Sequence, residues 1–183
     1  IADSGAIEAA LAVMLIAPTI PMLFMGEEWG ATTPFPFFCD FHGDLAHAVR
    51  QGRAKEFAWA YARYGDEIPD PLDKTTVESA VLDWDARDTE TGRQRLTLVR
   101  DLLKVRRREI VPRLADARFG EASAPDDGLF TAYWRMGDGK RLRLRANLSD
   151  RNVIASDDTT GTPIWGRELK DSVPPWTVSW RIG

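Results

Sequence analysis

The first twenty-five positions carry two different apolar patterns. Between Asp3 and Ala17, Ile7, Leu11, Met14 and Leu15 fall on one helical face and alanines fill much of the rest. A helix so rich in alanine and so poor in charge is predicted to be buried on more than one side. Pro18 ends it. Ile20 to Met25 is then a continuous apolar run without alternation, with Pro21 near its start and Gly26 at its end. That predicts a short strand buried on both faces, as in a parallel sheet covered by helices. Helix followed by buried strand is half of a repeated α/β unit.

The middle of the chain is less regular. Glu27 to Gly43 is rich in Thr, Pro and Phe, and loops this long inside compact domains tend to be functional. Asp44 is placed to cap a helix over Leu45 to Tyr61. Ile68 to Asp73 must be extended, because Pro69 and Pro71 push the residues before them out of the helical region. Thr75 and Glu78 have capping-box spacing and predict a short helix. Leu96, Val99, Leu102 and Leu103 mark another amphipathic helix, ending in Arg106, Arg107 and Arg108. Cations there favour a helix C-terminus by about 0.3–1 kcal/mol each.

From about Ala117 the period changes to two. Leu142, Leu144, Ala146 and Leu148 alternate with Arg141, Arg143, Arg145 and Asn147. Leu129 to Met136 reads as the partner strand, joined through a Gly137-Asp138-Gly139 turn. Trp176, Val178, Trp180 and Ile182 repeat the alternation at the end. The expected fold class is therefore α/β followed by all-β, the second part a small antiparallel β-sandwich. The boundary falls between Val111 and Gly120, dividing residues 1–115 from 116–183. Trp134, Trp176 and Trp180 are expected in the core, Trp165 at the surface, and Arg141, Arg143 and Arg145 on a solvated strand face.

Composition narrows the chemistry. The 183 residues are 44% hydrophobic and 28% charged, with a formal net charge of -4. No basic block offers the stripe that phosphate contacts need, so no nucleic-acid partner is expected. Cys39 stands alone and His42 and His47 are the two histidines. No intrachain disulfide is expected, nor a metal site, and no cofactor is implied. The apolar stretch Ile7 to Ile20 is broken by Glu8 and Pro18 and is short for a bilayer, so no membrane partner is expected. Ile1-Ala2-Asp3 lacks the basic start of a secretory signal. Ile1 in place of Met suggests further chain upstream, and the expected location is cytoplasmic.

The block Pro21-Met22-Leu23-Phe24-Met25-Gly26-Glu27-Glu28-Trp29-Gly30 resembles the last barrel strand and following loop of the α-amylase family of glycoside hydrolases. Three further blocks narrow the likeness. Phe37-Phe38-Cys39-Asp40 is followed by Val49-Arg50-Gln51-Gly52-Arg53 and Glu56-Phe57. Asp70-Pro71-Leu72-Asp73 runs through Thr76 to Leu82-Asp83-Trp84, and Pro174-Pro175-Trp176 leads to Trp180. In this order they resemble the malto-oligosyltrehalose trehalohydrolases, which cut the α-1,4 bond next to a terminal trehalose; the alternatives are an α-glucan branching or transferring relative of the same family, or a stand-alone carbohydrate-binding module.

The resemblance implies the last βα unit or units of a (β/α)8 barrel, followed by the β-sandwich. Retaining glycosidases need two carboxyl groups about 5–5.5 Å apart, supplied in this family from the fourth, fifth and seventh strands. If Ile20 to Met25 is the eighth strand, those positions lie upstream and no residue here is expected to be catalytic. The absent N-terminal barrel portion is then the expected packing partner, and a malto-oligosaccharide-type chain the substrate of the whole enzyme. Glu27 and Glu28 do not form a catalytic pair, because neighbours in an extended segment point apart. The expected substrate-binding residues are Glu27, Glu28 and Trp29, a carboxylate on sugar hydroxyls and the indole on a pyranose ring. The competing assignment has a Glu paired to an arginine and Trp29 packed beneath the loop. Phe35, Phe37 and Phe38 line a subsite or anchor the same loop, with Asp40 and His42 as further polar candidates.

Overall fold

The structure, a computed structural model, describes residues 3–64, 68–125, 129–154, 160–169 and 171–183. The chain divides into two compact units, Ile1–Phe24 with Gln94–Gly183, and Met25–Arg93.

Helix α1 (Ser4–Ile16) opens the first unit, started by Asp3, whose carboxylate accepts from the Gly5 N–H at 2.8 Å and the Ala6 N–H at 3.3 Å. Ala9, Leu11, Ala12, Leu15 and Ile16 are buried. The last turn of α1 contains no basic residue of its own. Its C-terminal carbonyls are taken by Arg106, which donates to the oxygens of Leu15 at 3.1 Å and Ala17 at 2.8 Å, and to that of Thr19.

Arg106 reaches this position because the long helix α5 (Glu90–Val105) continues as a π-helical turn over Arg106–Ile110 and a 3-10 turn over Val111–Arg113. The arginine expected to end its own helix is 7% exposed and caps another. Arg107 and Arg108 do face solvent.

The β-part is a five-stranded antiparallel sheet plus a two-stranded ribbon. Strands β1 (Arg118–Ser123), β2 (Phe130–Arg135), β3 (Arg141–Asn147), β4 (Val153–Ile154), β5 (Thr162–Trp165), β6 (Ser172–Val173) and β7 (Thr177–Ile182) follow in chain order. The larger sheet runs β1-β2-β3-β7-β5, and the ribbon pairs β4 with β6. Leu142, Leu144 and Ala146 register with Ile182, Trp180 and Val178. With α1, α5 and Ala132 they form one core, so helices from the N-terminal side of residue 115 cover the inner face of the sheet. Trp180 is fully buried and donates its indole N–H to the Ala12 carbonyl at 3.1 Å. Leu129, Val153, Leu169 and Val173 make a separate small cluster beneath the ribbon. Asn147, 1% exposed, links the two by donating from Nδ2 to the carbonyls of Arg151, Val173 and Pro174.

Several expectations are corrected. Ile20 to Met25 forms no strand here: Ile20 is 98% exposed and Met22 81%. A parallel strand has no hydrogen bonds of its own and requires neighbours on its edges, which no described strand supplies. The helix expected over Leu45 to Tyr61 is two, α2 (Gly43–Glu56) and α3 (Ala58–Tyr64), separated at Phe57. His42 rather than Asp44 is the N-cap of α2, with Asp44 in the first turn. Helix α4 (Lys74–Ser79) starts two residues earlier than its Thr75–Glu78 pattern implies, because Asp73 rather than Thr75 is the N-cap and accepts from the Thr75 N–H at 2.8 Å. Trp176 precedes β7 at φ 53 and is half-buried, its ring against Gly5. Leu148 is half-exposed beyond β3, and Arg145 is buried rather than solvated.

Replacing Arg106 by Lys removes the planar fork that reaches three carbonyls at once. The expected outcome is a loss of about 1–3 kcal/mol in denaturant unfolding. A change within experimental error would show that water satisfies the α1 terminus equally well.

Candidate functional site

Residues 26–30 hold the three expected site residues. Gly26 has φ 90 and Gly30 φ 73, left-handed conformations that favour glycine. Between them Glu27–Trp29 form a 3-10 turn. The Gly26 carbonyl accepts from the Trp29 N–H at 3.2 Å and from the Ala31 N–H at 2.9 Å, closing the turn. A Cβ on Gly26 would meet the Ala31 Cβ at 2.7 Å and Leu82 Cδ2 at 3.1 Å.

The turn brings Glu27, Glu28 and Trp29 together but sends them to different surroundings. Glu27 is exposed. Glu28 is half-buried and folds back, accepting from the Gly26 N–H at 3.0 Å. Trp29 is 5% exposed, and its ring lies 5.2 Å from that of Trp84 at 38°. Its Nε1 is buried without a hydrogen-bond partner.

Leu82 and Trp84 were not among the expected site residues, yet they form the other half of this cluster. Asp83 accepts from the N–H groups of Asp85 at 3.0 Å and Ala86 at 3.3 Å. It thereby starts the 3-10 turn Asp85–Asp88 and fixes Trp84. The signal was present as two separate motif blocks, whose contact across more than fifty residues has no periodicity to reveal it.

The rest of the long loop is tied to α2 and to Asp70–Asp73. Arg53 lies over the rings of Phe37 at 4.5 Å and Phe57 at 4.4 Å. Phe35 and Phe38 meet edge to face at 5.7 Å. Arg50 pairs with Asp70 at 2.8 Å, and the Cys39 N–H donates to the Pro71 carbonyl at 2.8 Å. A cavity of about 500 Å³ opens here, lined by Phe38, Cys39, Asp40, Leu72 and Val77 among others. His42 and Asp40, 3.7 Å apart, are both open to solvent. Among the described residues no group of His, Cys, Asp and Glu is arranged to hold a metal ion. Nor is any helix among them long and apolar enough to cross a membrane.

Residues 117–180 match a protein family described as a Domain of unknown function (DUF3459). The chain is 35% identical over 96% of its length to a malto-oligosyltrehalose trehalohydrolase of Brevibacterium helvolum. The chain belongs to the malto-oligosyltrehalose trehalohydrolase family. The Deinococcus radiodurans member is 42% identical over 55% of the chain. A candidate alpha amylase from Salmonella typhimurium, solved by crystallography, superposes over 100% of the chain at TM-score 0.85 and 36% identity. The chain spans 30% of the Brevibacterium relative, 17% of the Deinococcus one and 31% of the Salmonella chain.

In this family member, Gly26→Ala forces a left-handed alanine and is expected to cost about 1–2 kcal/mol before any steric contribution. Denaturant unfolding followed by indole fluorescence measures it; an unchanged midpoint would mean the turn can re-form without glycine. Asp73 supplies a pH test. The Thr75 N–H and hydroxyl hold its carboxyl below the usual carboxylate range. Its contribution to stability is therefore present above that range and lost as pH falls through the lowered folded value. Carboxyl-carbon NMR should show Asp73 titrating below a free aspartate, with Thr75→Ala moving the midpoint up. An identical midpoint in the variant would show that the hydroxyl contributes nothing and the backbone N–H alone holds it down.

Proposed function

We propose that this chain is the C-terminal part of a glycoside hydrolase that cleaves the α-1,4 bond next to the terminal trehalose of malto-oligosyltrehalose, releasing trehalose. The observation that carries this is the 35% identity to a trehalohydrolase across 96% of the chain. It includes both halves of the Trp29–Trp84 cluster. Residues 1–115 are the end of a (β/α)8 barrel and residues 116–183 the C-terminal β-sandwich, of which the five-stranded sheet and the ribbon are the two layers.

On this reading Ile20 to Met25 becomes the eighth barrel strand when the upstream barrel supplies its neighbours. The exposure of Ile20 and Met22 supports that reading, since an apolar run of this kind needs cover. The catalytic carboxylates are contributed upstream, and the missing barrel is the packing partner. Glu27, Glu28 and Trp29 form one wall of the substrate site at the C-terminal face, where barrel active sites lie. Glu27 binds sugar hydroxyls, Glu28 braces the turn and Trp29 anchors it. The enzyme works in the cytoplasm, where a lone Cys39 stays a free thiol.

The test is turnover by the intact enzyme. It should release trehalose from malto-oligosyltrehalose in clear preference to cutting plain malto-oligosaccharide, and equal rates would refute the assignment. Glu27→Gln should raise KM by about tenfold, the scale of one hydrogen bond to a charged group. Unchanged kinetics in that variant would remove Glu27 from the substrate site.

A further inference from the structure

The outer face of the five-stranded sheet, turned away from α1 and α5, is lined by arginines. Register places Arg118, Arg135, Arg141, Arg143, Arg145 and Arg181 on this face, against one carboxylate, that of Glu121, among the described residues of the sheet. This concentration occurs in a chain whose net charge is -4. The middle of the face is concave, with a cavity of about 550 Å³, within the size range of small-molecule sites.

Arg141, Arg143, Arg145, Tyr133, Glu121 and Ser123 are among its lining residues. The floor is built rather than incidental. Tyr133 lies flat on the β1 bulge, where a Cβ on Gly120 would come within 2.1 Å of the ring. The Arg141 guanidinium sits 4.6 Å over the same ring, which holds its charge in place while leaving its edge N–H groups to donate. Arg143 occupies the next outward position on β3, and its Nη1 is buried without a hydrogen-bond partner. A buried charged donor left unpaired is costly, and among the described residues nothing lining the cavity accepts from it.

We propose that this cavity is a binding site for a small organic phosphate monoester, with Arg143 and Arg141 as the phosphate-binding residues. Alternate residues of a strand are about 6.6–6.8 Å apart on one face. A single carboxylate occupies one guanidinium fork, whereas a phosphate has three terminal oxygens and can accept from two forks at once. Arg141 and Arg143 also outweigh Glu121 without counting Arg145, matching a group that carries about -1.5 to -2 charges near neutral pH. Polar Ser123 and Glu121 on the rim suit the hydroxyls of the organic part.

None of residues 26–30 lines the cavity, so its test does not depend on turnover. In the intact protein, glucose 6-phosphate should titrate saturably by calorimetry and raise the melting temperature, more strongly than inorganic phosphate. Arg143→Gln should weaken binding tenfold or more. Because that variant removes a half-buried group and could fold poorly, the exposed Arg141→Gln provides the same test, also with at least a tenfold loss. Arg118→Gln, on the same face but outside the cavity lining, should bind as the unmodified protein does. The proposal is overturned if sodium chloride at equal ionic strength reproduces the thermal shift. It is equally overturned if Arg141→Gln binds normally, or if inorganic phosphate binds while glucose 6-phosphate does not.

Discussion

The first compact unit depends on one guanidinium. Arg106 joins the end of α1 to the end of α5 by donating to carbonyls of Leu15, Ala17 and Thr19. Helix α1 ends with neither a glycine C-cap nor a basic residue of its own, so its last carbonyls need an outside donor. Supplying it required α5 to loosen into a π turn just where Arg106 points inward. Burial pulls that guanidinium down from its ordinary value, yet an arginine stays cationic in proteins, so the charge is retained against its desolvation by the helix end it faces. With the helix ends joined, Leu15, Ile16, Leu102 and Ile110 pack under Trp180, whose indole N–H is taken by α1 itself.

The second unit is organised by aromatic contact and glycine geometry. Two left-handed glycines close the turn that turns Trp29 inward, and Trp84, fixed by the Asp83 cap, meets it there. Rigidity at the base of a loop leaves its polar tip, here Glu27, in a defined place. That arrangement suits the substrate wall proposed for this turn, since a binding carboxylate held by a mobile loop would lose its energy to ordering. The two faces of the sheet also separate their roles, the inner one packing α1 and α5 and the outer one gathering arginines around Tyr133.

Much of the fold was legible in the chain. Asp3 and Pro18 bound α1 as expected, and strict alternation in β2, β3 and β7 placed Trp180, Leu142 and Leu144 in the core. Local errors came from capping chemistry. Asp73 outcompetes Thr75 because a carboxylate accepts the orphan N–H more strongly than a hydroxyl, and Phe57 breaks a pattern that looked continuous. At the candidate site the three residues were found as a block. Their division into an exposed carboxylate, a brace and a buried anchor was not legible, because it depends on Leu82 and Trp84.

By itself the sequence determined that α1, α4 and α5 are helical and that β2, β3 and β7 are extended, which face of those three strands is apolar, and the family to which the blocks belong. These are properties of nearest neighbours and short periods, written into dihedral preferences and side-chain polarity. Only the tertiary structure decided where unlike elements meet. It carried Arg106 from the basic end of its own helix to the end of another and buried Arg145 on a face that reads as solvated. It also left Ile20 to Met25 without ladder partners. Such outcomes are set by contacts between residues far apart in the chain, where a donor, an acceptor and the space between them are fixed only once the elements have packed.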